Sequence, residues 1–187
     1  MRKAKKKTDY HGGAKSGQRG ETILKMFIEE SGLTALKTQK SFIEYYVPKG
    51  STKKRAVEIW KQKMCLFDPW GTQVRGFVPD FFIPEINYIV EQKYGTKEGT
   101  TEEKIFWDLE KIRAGVYDRD KSGSPFAYIF MGSPEYARGN AKKAHSHIFA
   151  EIIKQENLPC EVVFADYNNN NAGLVRWLSE KKEKANC

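Results

Sequence analysis

The sequence has few of the features that would fix its class at once. No apolar run is long enough to span a bilayer, and the first residues, "MRKAKKKTDYHGG", lack the apolar core of a secretory signal. Cysteine is scarce: Cys65, Cys160 and Cys187 are odd in number and far apart. That spacing argues against a disulfide framework or a zinc cluster, and the expectation is a reducing, cytoplasmic setting. Neither GxGxxG nor GxxxxGK[ST] occurs, so nucleotide-driven translocation is not expected. There are no internal repeats, and the only low-complexity piece is the Asn168–Asn171 run.

Charge of one sign, by contrast, is in excess. The 32 Lys and Arg residues outnumber 24 Asp and Glu, for a formal net charge of +8 over 187 residues. A basic balance of this size fits a polyanionic partner such as nucleic acid, or less often an anionic membrane surface, and the length suits a single domain. Lys5, Lys6 and Lys7 belong to a cationic start that reads, with the residues up to 17, as a flexible arm, either solubilising or in contact with nucleic-acid phosphates. Residues 18–187 read as the folded domain.

Periodicity divides that domain into helices and strands. Ile23, Leu24, Phe27 and Ile28 share one face of a helix beginning near Glu21 and ending at Ser31-Gly32. "SFIEYYV" (41–47) reads as a strand and "PKGSTKKR" as a basic loop. "AVEIWKQ" has helical spacing, "KMCLF" strand character and "DPWG" turn composition. Thr100 and Glu103 have capping-box spacing ahead of a helix with Ile105, Phe106, Leu109, Ile112 and Val116. Strands follow at 125–132 and 160–165, with a helix at 144–155 between them, and a charged amphipathic helix lies in the final segment. This order predicts an α/β fold with a mixed central sheet flanked by helices.

The stretch "VPDFFIPEINYIVEQKYG" (78–95) is apolar enough to be buried, yet it carries Asp80, Glu91 and Lys93. "FVPDFFI" and "YIVEQK" are strand-like, and "PEIN" between them has turn composition. A hairpin centred between Glu85 and Ile86 puts Asp80 opposite Glu91, with Cβ atoms ~4.5–5.5 Å apart. Lys93 then emerges on the same face as Glu91. Slipping the register by one residue would set Gln92 or Val90 against Asp80 instead. Two adjacent carboxylates repel, and a divalent cation resolves the conflict. Mg²⁺ suits a few carboxylate oxygens plus water and phosphate, and a neighbouring lysine can orient water and offset charge on phosphorus.

Pro79-Asp80, ten intervening residues and Glu91-Gln92-Lys93 resemble the signature of the PD-(D/E)xK nuclease superfamily, which includes most type II restriction endonucleases and several resolvases and repair nucleases. The resemblance implies a restriction endonuclease-like αβββαβ core over roughly residues 18–165. It also implies that Asp80 and Glu91 bind Mg²⁺, with Mn²⁺ able to substitute, and that Lys93 assists the nucleophile. Many members add an acid from the first core helix; "GQRGETIL" offers Glu21 in that place. The implied substrate is double-stranded DNA, cut by a homodimer in a bacterial, archaeal or phage-encoded setting.

Several residues outside the motif are candidates for DNA contact. Lys97 follows the acidic strand and is within reach of backbone phosphate, whereas Lys104 and Lys111 have helical spacing with Glu103 and Glu110 and read as surface. "RGNA" (138–141) is similar to a loop of restriction enzymes that read AATT-centred sites, although there it closely follows the lysine and continues with Glu-Arg. Independently of that likeness, Arg138 suits guanine, Asn140 suits adenine, and Lys142 and Lys143 suit phosphate. His145 and His147, two apart on a helix, do not face one ligand and read as surface. Trp60, Trp70, Trp107 and Trp177 read as buried or partly buried packing. The leading expectation is a Mg²⁺-dependent type II restriction endonuclease. A junction resolvase, a mismatch-nicking repair enzyme, a homing nuclease and an inactive DNA-binding relative remain open alternatives.

Overall fold

The computed structural model describes residues 13–65, 78–95, 101–117, 124–132, 145–166 and 169–187. Within them, six helices and four strands follow one another as α1 Gly13–Glu30, α2 Gln39–Tyr46, α3 Lys53–Met64, β1 Phe81–Ile83, β2 Tyr88–Gly95, α4 Thr101–Arg113, β3 Phe126–Gly132, α5 His145–Gln155, β4 Glu161–Asp166 and α6 Ala172–Ala185. The four strands form one sheet in the order β1-β2-β3-β4. The β1–β2 pair is an antiparallel hairpin, while β2–β3 and β3–β4 are parallel. Parallel neighbours need a crossover, and α4 and α5 lie within the two connections. The fold is therefore mixed α/β, as the sequence pattern predicts.

Alternation along the strands sends successive side chains to opposite faces and builds two apolar layers. On one face, Leu24 and Ile28 of α1 and Leu174, Trp177 and Leu178 of α6 pack against Val90, Ile129 and Val163. On the other, Phe42 of α2, Met64 of α3, Ile105 and Leu109 of α4 and Phe149 of α5 cover Phe82, Ile89, Tyr128 and Phe130. All seven residues of β3 are buried, as a central strand covered on both faces requires. The hairpin turn is Pro84–Asn87: Asn87 takes φ 55°, and its N–H donates to the Pro84 carbonyl at 3.3 Å.

Some segments differ from their expected form. "SFIEYYV" lies mostly in α2 rather than a strand. The Thr38 hydroxyl accepts from Ser41 N at 3.2 Å and Ser41 Oγ accepts from Thr38 N at 3.0 Å, a reciprocal cap that fixes a helix start. Phe42, Tyr45 and Tyr46 then fall on one side, with Phe42 stacked on Phe82 at 5.8 Å. In place of the expected strand, a single antiparallel bridge joins Leu36 to Phe82 through bonds of 2.9 and 2.8 Å.

Lys63 and Met64, also expected in a strand, complete α3, whose first turn is capped by Thr52. The first helix begins at Gly13, earlier than Glu21. Trp177 is buried and Trp60 partly so, but Trp107 is 71% exposed because it points away from the Ile105–Leu109 stripe. Trp70 and the Thr100 cap lie outside the described residues. All three cysteines are free. No helix among the described residues is long and apolar enough to cross a membrane.

Candidate active site

The hairpin adopts the register under which Asp80 faces Glu91: Phe81 pairs with Val90, Phe82 with Ile89 and Ile83 with Tyr88. Asp80 stands one residue before β1, and its Oδ2 accepts from the Gln92 backbone N–H at 2.8 Å. That bond extends the hairpin by one side-chain rung and fixes one carboxylate oxygen. Glu91 and Lys93, two apart on β2, emerge together on the α4 side of the sheet. The Lys93 ammonium lies 3.1 Å from Glu91 Oε1.

Lys93 has a second acidic partner, from a different element. Asp108 of α4 brings Oδ2 to 2.8 Å from Lys93 Nζ, and its side chain is only 3% exposed. Lys111, one turn further along α4, bonds Asp108 Oδ1 at 2.6 Å. Tyr128 of β3 donates its hydroxyl to Asp108 Oδ2 at 2.7 Å, and its ring centroid lies 5.7 Å from Lys93 Nζ.

Glu21 approaches from α1. The preceding residue is Gly20, where a Cβ would lie 2.5 Å from Tyr94 Cβ and 2.6 Å from Gln92 Oε1. Only glycine lets α1 sit this close to β2, and Glu21 comes next in the chain. Its carboxylate is paired with Lys37, whose Nζ also lies 5.8 Å from the Phe81 ring. Among the described residues, no three acidic, histidine or cysteine side chains gather into a metal-holding group. The carboxylates that face each other are therefore a pair, Asp80 and Glu91, with Glu21 held by the Lys37 ammonium.

The electrostatics of that pair are strained. Burial, reinforced by the charge of Glu91 and to a smaller degree Glu21, pushes the Asp80 carboxyl up to about 8; the Gln92 N–H and Lys37 work against the rise. Burial also raises Glu91, opposed by Lys93 and assisted by Asp108. For Lys93, burial disfavours the ammonium, but Glu91 and Asp108 outweigh it and hold the amine above its usual range. Burial likewise disfavours the Asp108 carboxylate, and Lys93, Lys111 and Tyr128 together outweigh that, holding it below the usual range. The acid from α4 is thus an anion secured by cations, whereas Asp80 resists ionising. Two hard oxygen donors in mutual repulsion suit a small divalent cation, which would neutralise them. Asp80 and Glu91 are the residues that would hold it.

Asp80, Glu91 and Lys93 thus come together, and Glu21 comes to their border through Lys37. Lys97, Arg138, Asn140, Lys142, Lys143 and Lys5, Lys6 and Lys7 lie outside the described residues. Lys111 is half-buried against Asp108 rather than a surface residue. Sequence reasoning passed over Asp108, Tyr128 and Lys37. Asp108 did leave a signal: it is the one acid in the stripe Ile105, Asp108, Leu109, Ile112, which otherwise reads as an apolar helix face. Tyr128 and Lys37 left none, since a tyrosine in an apolar strand and a lysine beside a helix cap are ordinary. His145 stacks edge-on against Phe106 at 5.7 Å. Compared with known proteins, the chain matches no family model, no curated protein and no solved structure.

Proposed function

We propose that this protein is a Mg²⁺-dependent DNA endonuclease of the PD-(D/E)xK kind, with a restriction endonuclease-like core, and that it cuts a short duplex site as a type II restriction enzyme does. The observation that carries the reading is the convergence of Asp80, Glu91 and Lys93: the hairpin register sets the two carboxylates opposite each other, and Lys93 bonds Glu91 at 3.1 Å. An isolated fold gains nothing from such a pair, since burial and repulsion both raise the Asp80 carboxyl. A phosphodiesterase uses it. Asp80 and Glu91 would hold Mg²⁺, which when bound supplies Lewis-acid polarisation of a phosphate oxygen and a more acidic water. Lys93 places a cation where negative charge grows on the phosphate, and it can orient the attacking water by hydrogen bonding. The Gln92 N–H, 2.8 Å from Asp80 Oδ2, orients that carboxylate before any metal binds. The net charge of +8 favours a polyanionic substrate.

The test is incubation of the full chain with supercoiled plasmid and Mg²⁺, with Mn²⁺, Ca²⁺ and EDTA arms, followed by sequencing of the ends and sedimentation with and without DNA. A single Asp80/Glu91/Lys93 set serves one strand, so a homodimer on a palindromic site is expected. Linear product with discrete ends, little nicked intermediate and a DNA-bound dimer is the predicted result. Ca²⁺ should support binding without turnover. Full cutting in excess EDTA would contradict the metal role, and a monomer that yields only nicked circles would contradict the dimer and favour a nicking repair enzyme.

A further inference from the structure

An ionised carboxylate is costly to bury, and replacing a buried ion pair by apolar side chains is often neutral or stabilising. Asp108 is such a carboxylate. It occupies a stripe of α4 whose other members, Ile105, Leu109 and Ile112, are fully or almost fully buried. A leucine there would continue the apolar layer without a break. Both Asp108 oxygens are instead engaged, Oδ1 by Lys111 at 2.6 Å and Oδ2 by Lys93 at 2.8 Å and Tyr128 at 2.7 Å. Contacts from the same helix, from β2 and from β3 hold the carboxylate in one orientation.

Lys93 is the flexible member of this set. Its ammonium sits at the end of four methylene groups and carries three donors. Of its two acidic partners, Glu91 is also one of the two carboxylates that would hold the metal, whereas Asp108 belongs to no such pair. We propose that Asp108, braced by Lys111 and Tyr128, is a positioning residue whose role is to hold the Lys93 ammonium in place beside Glu91. This rests on the nuclease reading for its catalytic meaning, though the positioning itself is a property of the metal-free protein. It accounts for an acid in an apolar stripe. It also makes the placement of Lys93 depend on the docking of α4 against β2 and β3, not on β2 alone.

The test uses the full chain with its lysine side chains ¹⁵N-labelled, comparing wild type with Asp108→Asn and Tyr128→Phe. NMR of the metal-free proteins reads the order of the Lys93 ammonium. It should be restrained in wild type, less so in Tyr128→Phe, and least in Asp108→Asn, where only the Glu91 carboxylate still holds it by a charge pair. In single-site kinetics below the melting temperature, Asp108→Asn should lose about 10–100-fold in kcat, the scale seen when a partner orienting a functional group is removed. KM for DNA and the calorimetric Mg²⁺ affinity should stay within about threefold. Should Asp108→Asn fail to fold, Tyr128→Phe carries the test alone, with a smaller kcat loss and the same unchanged KM. An unaltered Lys93 signal in whichever variant folds overturns the proposal whatever happens to cleavage. A loosened Lys93 in a protein that cuts no DNA would uphold the positioning and overturn the nuclease reading instead.

Discussion

Asp80 carries the largest electrostatic conflict in the site, and it yields a stability prediction with a definite sign. Its folded-state value of about 8 lies above the ordinary carboxylate value of about 4. Asp80's contribution to the stability of the folded, metal-free protein is therefore fully present below pH about 4 and is lost as the pH rises through about 8. Glu91 is raised in the same direction. Asp80→Asn keeps an acceptor for the Gln92 N–H and removes the charge. It should melt a few degrees higher than wild type at pH 8, about 1–3 kcal/mol, and match it at pH 4. Mg²⁺ should raise the wild-type midpoint and leave the variant unmoved, and the variant should not cut DNA. A variant that melts lower than wild type at pH 8 would show the conflict to be absent. Lys93→Ala makes a separate prediction: near-normal DNA binding with at least ~100-fold slower cleavage, measured by single-turnover kinetics beside a binding titration. These residues were legible because the period of two and a four-residue turn set their register without outside help. Asp108 was harder to find, because one acid within a helix stripe acquires meaning only when Lys93 is seen to face it.

Among the elements, α1 and α2 show what local pattern can and cannot decide. The close approach of α1 to β2 depends on Gly20, since a Cβ there would fall 2.5 Å from Tyr94 Cβ. Gly20→Ala should therefore destabilise by about 1–3 kcal/mol, the range for forcing an extra carbon into a packed contact. The measurement is chemical denaturation followed by circular dichroism, and an unchanged midpoint would mean that α1 does not rest on β2 as described. Helix α2 carries β-branched and aromatic residues that suit a strand equally well, and Phe42, Tyr45 and Tyr46 also satisfy helical spacing. The Thr38–Ser41 reciprocal cap decides between them. That signal was present in the sequence, but Ser in place of the usual Glu or Gln at the third position made it easy to overlook.

At the scale of the whole molecule, the excess of positive charge makes a prediction that depends on no particular side-chain geometry. Deleting residues 1–7, which include Lys5, Lys6 and Lys7, should weaken binding to all DNA sequences alike, because lysine on phosphate positions without reading bases. The slope of log affinity against log salt should shrink by ~0.9 for each phosphate no longer neutralised, as measured by binding titrations across a salt series. An unchanged slope would make those residues a solubilising tail. The three-layer arrangement fits the same view of the chain: α1 and α6 cover one face of the sheet, α2 to α5 the other, and the carboxylate pair lies at the end of the hairpin.

The sequence by itself determined the mixed α/β class, the β1–β2 hairpin and the register that sets Asp80 against Glu91. Each follows from short-range rules: alternation, turn composition and the fixed spacing of side chains on one strand. Only the tertiary structure decided that "SFIEYYV" is a helix beside a one-residue bridge, that Lys37 pairs with Glu21 at the border of the site, and that Asp108 and Tyr128 complete the surroundings of Lys93. Tyr128 lies 20 residues from Asp108 in the chain and Lys37 lies 16 from Glu21. No local period relates such pairs. They meet because burying both faces of the sheet docks α4 on β2 and β3 and draws α1 onto β2 at Gly20, and Asp108 and Glu21 then find their partners among the groups those elements bring within reach.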